Sequence, residues 1–342
     1  MLPYKKVLRP LLFSLPSEQA HRLGELVLKQ RAMWGLLSPY YRTSDPTLRT
    51  TLAGINVSSP VGVAAGCDKN CQFLPSLLSL GFGYVVGGTV TLGPKSGNPS
   101  PRILRDAREG SLVNAMGFPN LGSEAVLKSL EKRPVRPLIL SVSGLTVEEF
   151  VDTARRLEPH AQGLELNISS PNTAGLKSFH DPQALGRLLE AVNAVRRKPL
   201  FVKLPPYSPQ MSREKMIVLA AAAQKAGVDG ITAANTRPVQ ESRLKVGSGG
   251  LSGMPLLVNT LNMVEDLRRE MGEDIVINAC GGISRVQDAL QALERGADTV
   301  QIYTALIFEG PGVARSINRG LSRILKERGL TSVRDLRKVR PA

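Results

Sequence analysis

Aromatic residues are scarce in this chain, and cysteines are scarcer still. Only 4% of the 342 residues are Phe, Trp or Tyr, so Leu, Val, Ile and Ala must do most of the packing. The three cysteines, Cys67, Cys71 and Cys280, are too few for a disulfide framework, and their odd number suits a reducing compartment. Cys67 and Cys71 have no histidine or second cysteine pair nearby in the sequence, so we expect no metal site.

The signals of export and of membrane spanning are also missing. No run approaches the ~20 consecutive apolar residues that a membrane-spanning helix needs. No apolar segment is followed by the small-residue cleavage site of a signal peptide. The composition, 42% hydrophobic and 21% charged, is that of a globular protein.

Positive charge, by contrast, is abundant. The chain has 44 Lys and Arg against 29 Asp and Glu, a formal net charge of +15. This excess indicates an anionic partner, which could be nucleic acid, an acidic membrane surface, or small phosphates and carboxylates. No basic cluster interleaved with aromatic residues is present, so nucleic acid is not the expected partner.

Residues 1–42 differ from the rest of the chain. Lys5, Lys6 and Arg9 are mixed with several leucines, and apolar residues then recur at helical spacing. The pattern predicts two short basic amphipathic helices, which could lie in a membrane interface or pack as a hairpin against the main domain. Pattern alone favours the packed hairpin. We predict a boundary after residue 42, with a second domain over 43–342.

From residue 47 onward the pattern becomes regular. Residues 47–58 alternate and turn at Ala53-Gly54, which predicts a small hairpin. Eight apolar runs then alternate with eight helix-period segments, and this alternation implies parallel strands. The predicted strands are Val61–Ala65, Tyr84–Thr89, Leu138–Val142, Leu164–Ile168, Leu200–Leu204, Gly230–Ala234, Ile275–Ala279 and Thr299–Tyr303.

Eight such units predict a closed (β/α)8 barrel, of the TIM-barrel class, for the α/β part of the chain. A doubly wound open sheet is the alternative, but no GxGxxG motif follows the first predicted strand. Two long segments, 91–121 and 235–255, are rich in Gly and Pro. We expect them to be irregular binding loops or lids.

In such a barrel, the residues that follow each strand meet at one rim. Here the rim is rich in amides and hydroxyls and holds Lys69 and Lys203, but no histidine. That composition argues against a hydrolytic metal site and against a Ser-His-Asp triad. Gly281 and Gly282 would let backbone N–H groups approach an anion. A lysine within a strand, Lys203, needs a buried anionic partner, which a reduced flavin would supply.

The order of motifs along the barrel resembles the dihydroorotate dehydrogenases, flavin enzymes of pyrimidine synthesis, and in particular their membrane-associated, quinone-using class. The N-terminal stretches RPLLFSL and QAHRL resemble the membrane-binding helices of that class, which favours the interfacial over the packed-hairpin interpretation. The matching barrel stretches are AAGCDKN at 64–70, GTVTLGPKSGNPSPR at 88–102, NAMGF at 114–118, NISSPNTAGLKS at 167–178, VKLPP at 202–206, NT at 235–236, GGLSGMPL at 249–256, GGIS at 281–284 and GADTVQIYTALIFEGP at 296–311.

The resemblance implies an activity and a set of partners. The reaction would be oxidation of (S)-dihydroorotate to orotate, with hydride transfer to FMN and electrons passed to a membrane quinone. Ser170 would be the catalytic base, Thr173 its proton relay, and Lys69 would lie near flavin and substrate. The protein would be a monomer at the cytoplasmic face of the cell membrane and would bind no nucleic acid.

The same resemblance implies the binding residues. Those for FMN would be Ala65, Gly66, Lys69, Thr89, Asn167, Lys203, Ser252, Gly253, Gly281, Gly282, Tyr303 and Thr304. Those for the substrate would be Lys69, Asn114, Phe118, Asn167, Asn172, Asn235 and Thr236. Those for quinone access would be His21, Arg105 and Tyr303.

Four positions depart from the family pattern. Ser141 stands where Asn is usual, Ala234 stands where Thr is usual, and Arg237 follows the NT motif. The family's GFNN-like loop here reads GFPN at 117–120, with Pro119 as the departure. These changes leave open a related FMN barrel oxidoreductase with an altered pyrimidine-like substrate, or a non-catalytic membrane-bound flavin protein. The positive charge also leaves open an RNA-binding flavoenzyme similar to the tRNA dihydrouridine synthases. Those enzymes use a catalytic Cys where this chain has Ser170.

Overall fold

The structure is a computed structural model that describes residues 4–173 and 175–338. The predicted domain bounds, 1–42 and 43–342, include residues 1–3 and 339–342, which lie outside the described residues. The chain begins with a π-helical turn at Tyr4–Leu8 and three helices rather than the two expected: α1 (Arg9–Ser14), α2 (Ser17–Leu28) and α3 (Arg31–Tyr41). The extra break falls at Gln30, whose backbone leaves the helical region between α2 and α3.

The remaining helices are the eight expected from the helix-period segments, with one additional short helix after the last barrel strand. They are α4 (Leu74–Ser79), α5 (Gly122–Lys132), α6 (Val147–Leu157), α7 (Pro182–Asn193), α8 (Arg213–Lys225), α9 (Leu257–Met271), α10 (Val286–Glu294), the unpredicted α11 (Thr304–Glu309) and α12 (Val313–Glu327). Short 3₁₀ turns lie at Pro46–Leu48, Glu158–His160, Leu176–His180, Met254–Leu256 and Val333–Lys338.

Side-chain caps define where several of these helices begin. Thr146, Asp181 and Ser212 each precede a helix, and each accepts a hydrogen bond from the backbone N–H three residues later. Such caps satisfy N–H groups that have no partner inside the helix and are worth about 1 kcal/mol each.

Strands fall into three sheets in the described part of the chain. In chain order they are β1 (Thr50–Leu52), β2 (Ile55–Val57), β3 (Val61–Val63), β4 (Tyr84–Val90), β5 (Ile103–Asp106), β6 (Ser111–Asn114), β7 (Leu138–Val142), β8 (Gly163–Asn167), β9 (Leu200–Lys203), β10 (Gly230–Ala233), β11 (Arg237–Gln240), β12 (Ser248–Gly253), β13 (Val276–Cys280) and β14 (Thr299–Ile302). The largest sheet is a closed barrel with the order β10-β13-β14-β3-β4-β7-β8-β9.

This barrel confirms the predicted (β/α)8 fold. Its eight strands are the eight predicted ones, with ends that differ by at most two residues. All barrel pairings are parallel, and helices follow the strands as a βα repeat requires. The open-sheet alternative is therefore wrong.

The lower end of the barrel is filled by two aromatic side chains. A Cβ at Gly62 would lie 2.3 Å from the Tyr84 ring, and a Cβ at Gly230 would lie 2.5 Å from the Phe201 ring, so only glycine leaves room for them. The predicted hairpin at Ala53-Gly54 is confirmed as β1–β2 and closes this end. It contributes Leu52, Ile55 and Val57 to a cluster with the two rings.

The two long Gly- and Pro-rich segments each contain two short strands, so the expectation that they lack regular structure was partly wrong. Strands β5 and β6 from the first segment pair with β11 and β12 from the second in an antiparallel sheet of order β11-β12-β6-β5. The pairing of β6 with β12 joins the two segments into one sheet. The sheet stands over the carboxyl ends of the barrel strands and forms one wall of the cavity described next.

Candidate active site

The carboxyl ends of the barrel strands open into one cavity of about 680 Å³. It runs from the barrel interior, past the antiparallel sheet, to helices α1 and α2. With one exception, the side chains predicted for the site line it: His21, Ala65, Gly66, Lys69, Thr89, Arg105, Asn114, Phe118, Asn167, Ser170, Asn172, Lys203, Asn235, Thr236, Ser252, Gly253, Gly281, Gly282, Tyr303 and Thr304. The exception is Thr173, whose hydroxyl lies 3.4 Å from that of Ser170.

The bottom of the cavity is a chain of hydrogen-bonded polar side chains. Asn167 Nδ2 donates to Thr89 Oγ1 at 2.9 Å, and Asn167 Oδ1 accepts from Asn235 Nδ2 at 3.1 Å. The Thr89 hydroxyl lies 3.1 Å from that of Ser141. Because both ends of the Asn167 amide are bonded, its orientation is fixed before any ligand binds.

Lys203 ends β9 and lies almost completely buried in this floor. Its Nζ donates to Cys280 Sγ at 3.6 Å, and within the described residues no carboxylate oxygen lies within ion-pair distance. Burial lowers the pKa of Lys203, but Cys280 and Glu165 raise it by more, so the net shift is upward. The floor therefore presents a buried cation to the cavity.

Lys69 supplies a second cation at the rim. Its Nζ donates to the Gly66 backbone oxygen at 2.8 Å. Burial lowers the pKa of Lys69, and this effect exceeds the opposing effects of Glu25, Cys67 and Asp68. An ammonium with a lowered pKa gives up a proton more readily than an exposed lysine does.

The loop after β8 brings two hydroxyls together. Ser170 Oγ and Thr173 Oγ1 lie 3.4 Å apart, and only the first of them lines the cavity. The two hydroxyls are therefore close enough to exchange a proton. The sequence prediction paired these two residues, and their geometry is compatible with that pairing.

Amide side chains meet above the floor on the side of the antiparallel sheet. Asn172 Nδ2 donates to Asn114 at both its backbone oxygen, 2.9 Å, and its side-chain oxygen, 3.2 Å. Asn235 is bonded to Asn167 and also to the Ser169 hydroxyl at 3.1 Å. These amides offer donors and acceptors to a planar ring that carries both kinds of group.

At the far side, glycines bring the backbone close to the cavity. Gly253 and Gly282 have φ values of +97° and +78°, which side chains rarely adopt. A Cβ on Gly282 would lie 2.3 Å from the Leu257 backbone nitrogen at the start of α9. The Thr304 hydroxyl bonds that of Ser252 at 3.0 Å. This corner has the open backbone and hydroxyls that suit a phosphate group.

The other end of the cavity, toward the N-terminal helices, is mostly apolar. Arg105 donates to the Leu12 backbone oxygen at 3.0 Å and lies 4.6 Å from the centre of the Phe13 ring. His21 Nε2 lies 3.2 Å from Glu25 Oε1, one helical turn along α2. Burial strongly raises the pKa of Tyr303, so its hydroxyl stays protonated.

Sequence reasoning missed several residues of the site. Glu25, Cys280 and Gln301 line the cavity, and Glu165 lies beneath its floor. Alternation along β13 and β14 could have found Cys280 and Gln301, because it places both in the barrel interior. For Glu25 we see no signal in the sequence beyond its position one turn after His21.

Of the four departures, one lines the cavity. Ala234 lines it, Ser141 is buried behind Thr89, and neither Pro119 nor Arg237 is among the lining residues. Within residues 4–173 and 175–338, no helix combines the length and apolar character needed to cross a membrane.

Comparison with known proteins gives a consistent result. Residues 47–325 match the sequence profile of the dihydroorotate dehydrogenase family. A dihydroorotate dehydrogenase (quinone) of Novosphingobium aromaticivorans is 38% identical and covers 97% of this chain and 98% of its own. One of Erythrobacter litoralis is 36% identical, over 96% of this chain and 97% of its own. The crystal structure of DHODH from Eimeria tenella with ferulenol aligns over 100% of both chains, with a TM-score of 0.83 and 29% identity.

The closed barrel and the lysine- and amide-lined cavity at its carboxyl rim define the class, a (β/α)8-barrel oxidoreductase of the flavin-dependent type. Within that class the profile match covers most of the chain, and the bacterial relatives align along nearly all of it. The chain belongs to the dihydroorotate dehydrogenase family, which confirms the resemblance found in the motifs.

Proposed function

We propose that this chain oxidises (S)-dihydroorotate to orotate in pyrimidine synthesis, with FMN as its flavin and a membrane quinone as the final electron acceptor. The observation that carries the proposal is the single cavity, which joins Ser170 and the amides at one end to His21 and Arg105 at the other. The names of the bacterial relatives, dihydroorotate dehydrogenase (quinone), support the substrate and the acceptor.

The residues of the floor fit a flavin. A cation buried as deeply as Lys203 is stabilised by an anionic partner, and a reduced flavin carries negative charge near its pyrimidine edge. When bound, FMN supplies the hydride acceptor and returns electrons one or two at a time. The residues proposed to hold it are Ala65, Gly66, Lys69, Thr89, Asn167, Lys203, Ser252, Gly253, Gly281, Gly282, Tyr303 and Thr304.

Ser170 is the proposed catalytic base. Its Oγ takes the proton from C5 of dihydroorotate while hydride leaves C6. Because a serine hydroxyl is a weak base, it must pass a proton on as it accepts one. Thr173 Oγ1, 3.4 Å away and outside the cavity lining, is the proposed relay.

The amides are proposed to hold the substrate. Asn114 and Asn172 are bonded to each other, as are Asn167 and Asn235, so the four side chains are oriented without a ligand. An oriented site loses less entropy when the substrate binds. The proposed substrate residues are completed by Lys69, Phe118 and Thr236.

The N-terminal segment, residues 1–42, is proposed to attach the enzyme to the cytoplasmic face of the membrane and to admit the quinone past His21, Arg105 and Tyr303. Leu36 is 83% exposed and Leu11 is 63% exposed, although both are apolar. Exposed leucines beside lysines and arginines are typical of helices that lie in a membrane interface. We expect the enzyme to be a monomer.

Anaerobic titration with dihydroorotate tests the proposal. A yellow protein whose flavin absorbance bleaches stoichiometrically, and returns when a quinone is added, is the expected result. Flavin that does not bleach would rule out this substrate and direct attention to Ser141 and Ala234. Bleached flavin that quinone does not reoxidise would rule out the proposed acceptor.

A further inference from the structure

Glu165 is a carboxylate inside the barrel, below the cavity floor. It lies on β8 two residues before Asn167 and is in register with Ser141 on one side and Phe201 on the other. Only 1% of it is exposed. Its Oε2 accepts a hydrogen bond from Thr232 Oγ1 at 2.8 Å. Because β9 separates the strands of these two residues, the bond must cross the barrel interior.

This carboxylate is only partly satisfied. Its Oε1 is buried and has no hydrogen-bond partner among the residues that the structure describes. A buried carboxylate in that state is costly unless a positive charge lies close by. Thr232 and its further partner Asn278 are neutral, so the hydrogen bonds supply no such charge.

Lys203 is the cation that lies near the Glu165 carboxylate. It lies on β9, the strand next to β8, where its register partner is Asn167. It is therefore two residues closer than Glu165 to the carboxyl ends of the strands. The carboxylate of Glu165 raises the pKa of Lys203. The two groups are not in ion-pair contact, because Lys203 Nζ turns to Cys280 Sγ and lines the cavity.

We propose that Glu165 is the counter-charge of Lys203, so that the two together make the barrel interior beneath the flavin electrically balanced. This inference rests on the proposed FMN site. Reduced flavin bears more negative charge than oxidised flavin, and a net positive charge below it favours the reduced form. Glu165 therefore holds the flavin midpoint potential below the value that Lys203 alone would set.

Redox titration of three flavin-loaded variants tests this. Glu165→Gln is expected to shift the equilibrium toward reduced flavin by about tenfold, or about 30 mV for a two-electron couple. Lys203→Met is expected to shift it the opposite way by a similar factor. The double variant, neutral at both positions, is expected to return to within about threefold of the wild type. Thr232→Val is the matched control, because it removes the hydrogen bond of Glu165 and keeps both charges.

A second measurement does not depend on flavin chemistry. Each single variant leaves one buried charge without its counter-charge, while the double variant leaves none. In urea unfolding, the double variant should therefore be more stable than the sum of the single losses predicts. Additive losses, or single variants whose potentials do not move in opposite directions, would overturn the pairing. A wild-type preparation that binds no flavin would instead refute the proposed function, and the unfolding cycle could still be read.

Discussion

The two ends of the cavity differ in the polarity of the residues that form them. The floor, by which we mean Thr89, Ser141, Asn167, Lys203 and Asn235, consists of polar side chains that bond one another, apart from Lys203, which bonds the Cys280 thiol. The mouth, by which we mean residues 4–41, consists of short helices with exposed leucines. It is fastened to the barrel by a few polar bonds, such as Tyr4 Oη to the Ile307 backbone oxygen at 2.7 Å.

This difference separates two physical requirements. Bond-breaking chemistry requires donors and acceptors whose positions do not change when the substrate binds, and the floor meets that requirement through its internal bonds. In the proposed function, delivery of an apolar acceptor requires a surface that matches lipid, and the exposed leucines of the mouth fit that proposed role. Substitutions at the floor should therefore affect chemistry or stability, while those at the mouth should affect membrane attachment.

The largest effect is expected at Ser170, immediately above the floor. Ser170→Ala removes the proposed base and leaves the fold unchanged, because the side chain is only partly buried. We expect the rate of flavin reduction by dihydroorotate to fall by about 10²–10⁴-fold. Stopped-flow absorbance measures that rate, and unchanged flavin content is the control. A rate within about threefold of the wild type would mean that another group takes the proton.

Asp68, buried beside the rim lysine, should make stability depend on pH. Burial raises its pKa from 3.8 to about 6, against the hydrogen bonds that it accepts from the Gln72 and Phe73 backbone. Between those two pH values the unfolded chain has lost this proton and the folded chain keeps it. Stability therefore falls as the pH rises through this window, by about 3 kcal/mol for this group.

Urea unfolding of the wild type and of Asp68→Asn from pH 4 to pH 7 measures that contribution. The stability of the variant relative to the wild type should rise across the window, because the variant has no carboxyl group to titrate. Parallel stability curves would show that Asp68 has an ordinary pKa in the folded protein.

Alanine substitutions at two glycines test whether the barrel interior below the floor is packed more tightly than the mouth. Gly62→Ala would place a Cβ 2.3 Å from the Tyr84 ring below the floor, and overpacking of this kind costs about 1–3 kcal/mol. Gly24, in α2 of the mouth, has no atom within 4 Å of its added Cβ. Gly24→Ala should instead stabilise the helix by about 0.5–1 kcal/mol. If the two variants unfolded at the same midpoint temperature, the two regions would not differ in how tightly they are packed.

The sequence predicts an element well when the interactions that form it join residues close together in the chain. The barrel strands and the β1–β2 hairpin depend on neighbouring residues, so alternation and the Ala53-Gly54 turn were sufficient. In the antiparallel sheet, the pairing of β6 with β12 was missed because it joins residues more than a hundred positions apart, whereas the β5–β6 and β11–β12 hairpins are local. Their glycines and prolines also resemble those of irregular loops.

The site was predicted to a similar extent and for similar reasons. Motifs resembling the family located the residues that line the cavity, including Ser170 and Lys203. Glu165 was missed because alternation places it inside the barrel without indicating which charge it faces. Glu25 was missed because its place near Lys69 depends on how α2 lies against the barrel, and that is a tertiary contact.

The smallest effect on stability is expected at the surface of the mouth. Leu36 in α3 is 83% exposed, so Leu36→Glu should leave folding and flavin reduction unchanged. It replaces apolar area with a charge, and we expect binding to anionic phospholipid vesicles to fall about tenfold. Val258→Glu is the matched control, because Val258 is 68% exposed on α9 of the barrel and does not line the cavity. Sedimentation with vesicles measures both variants, and equal losses would mean that general charge, rather than the mouth, governs attachment.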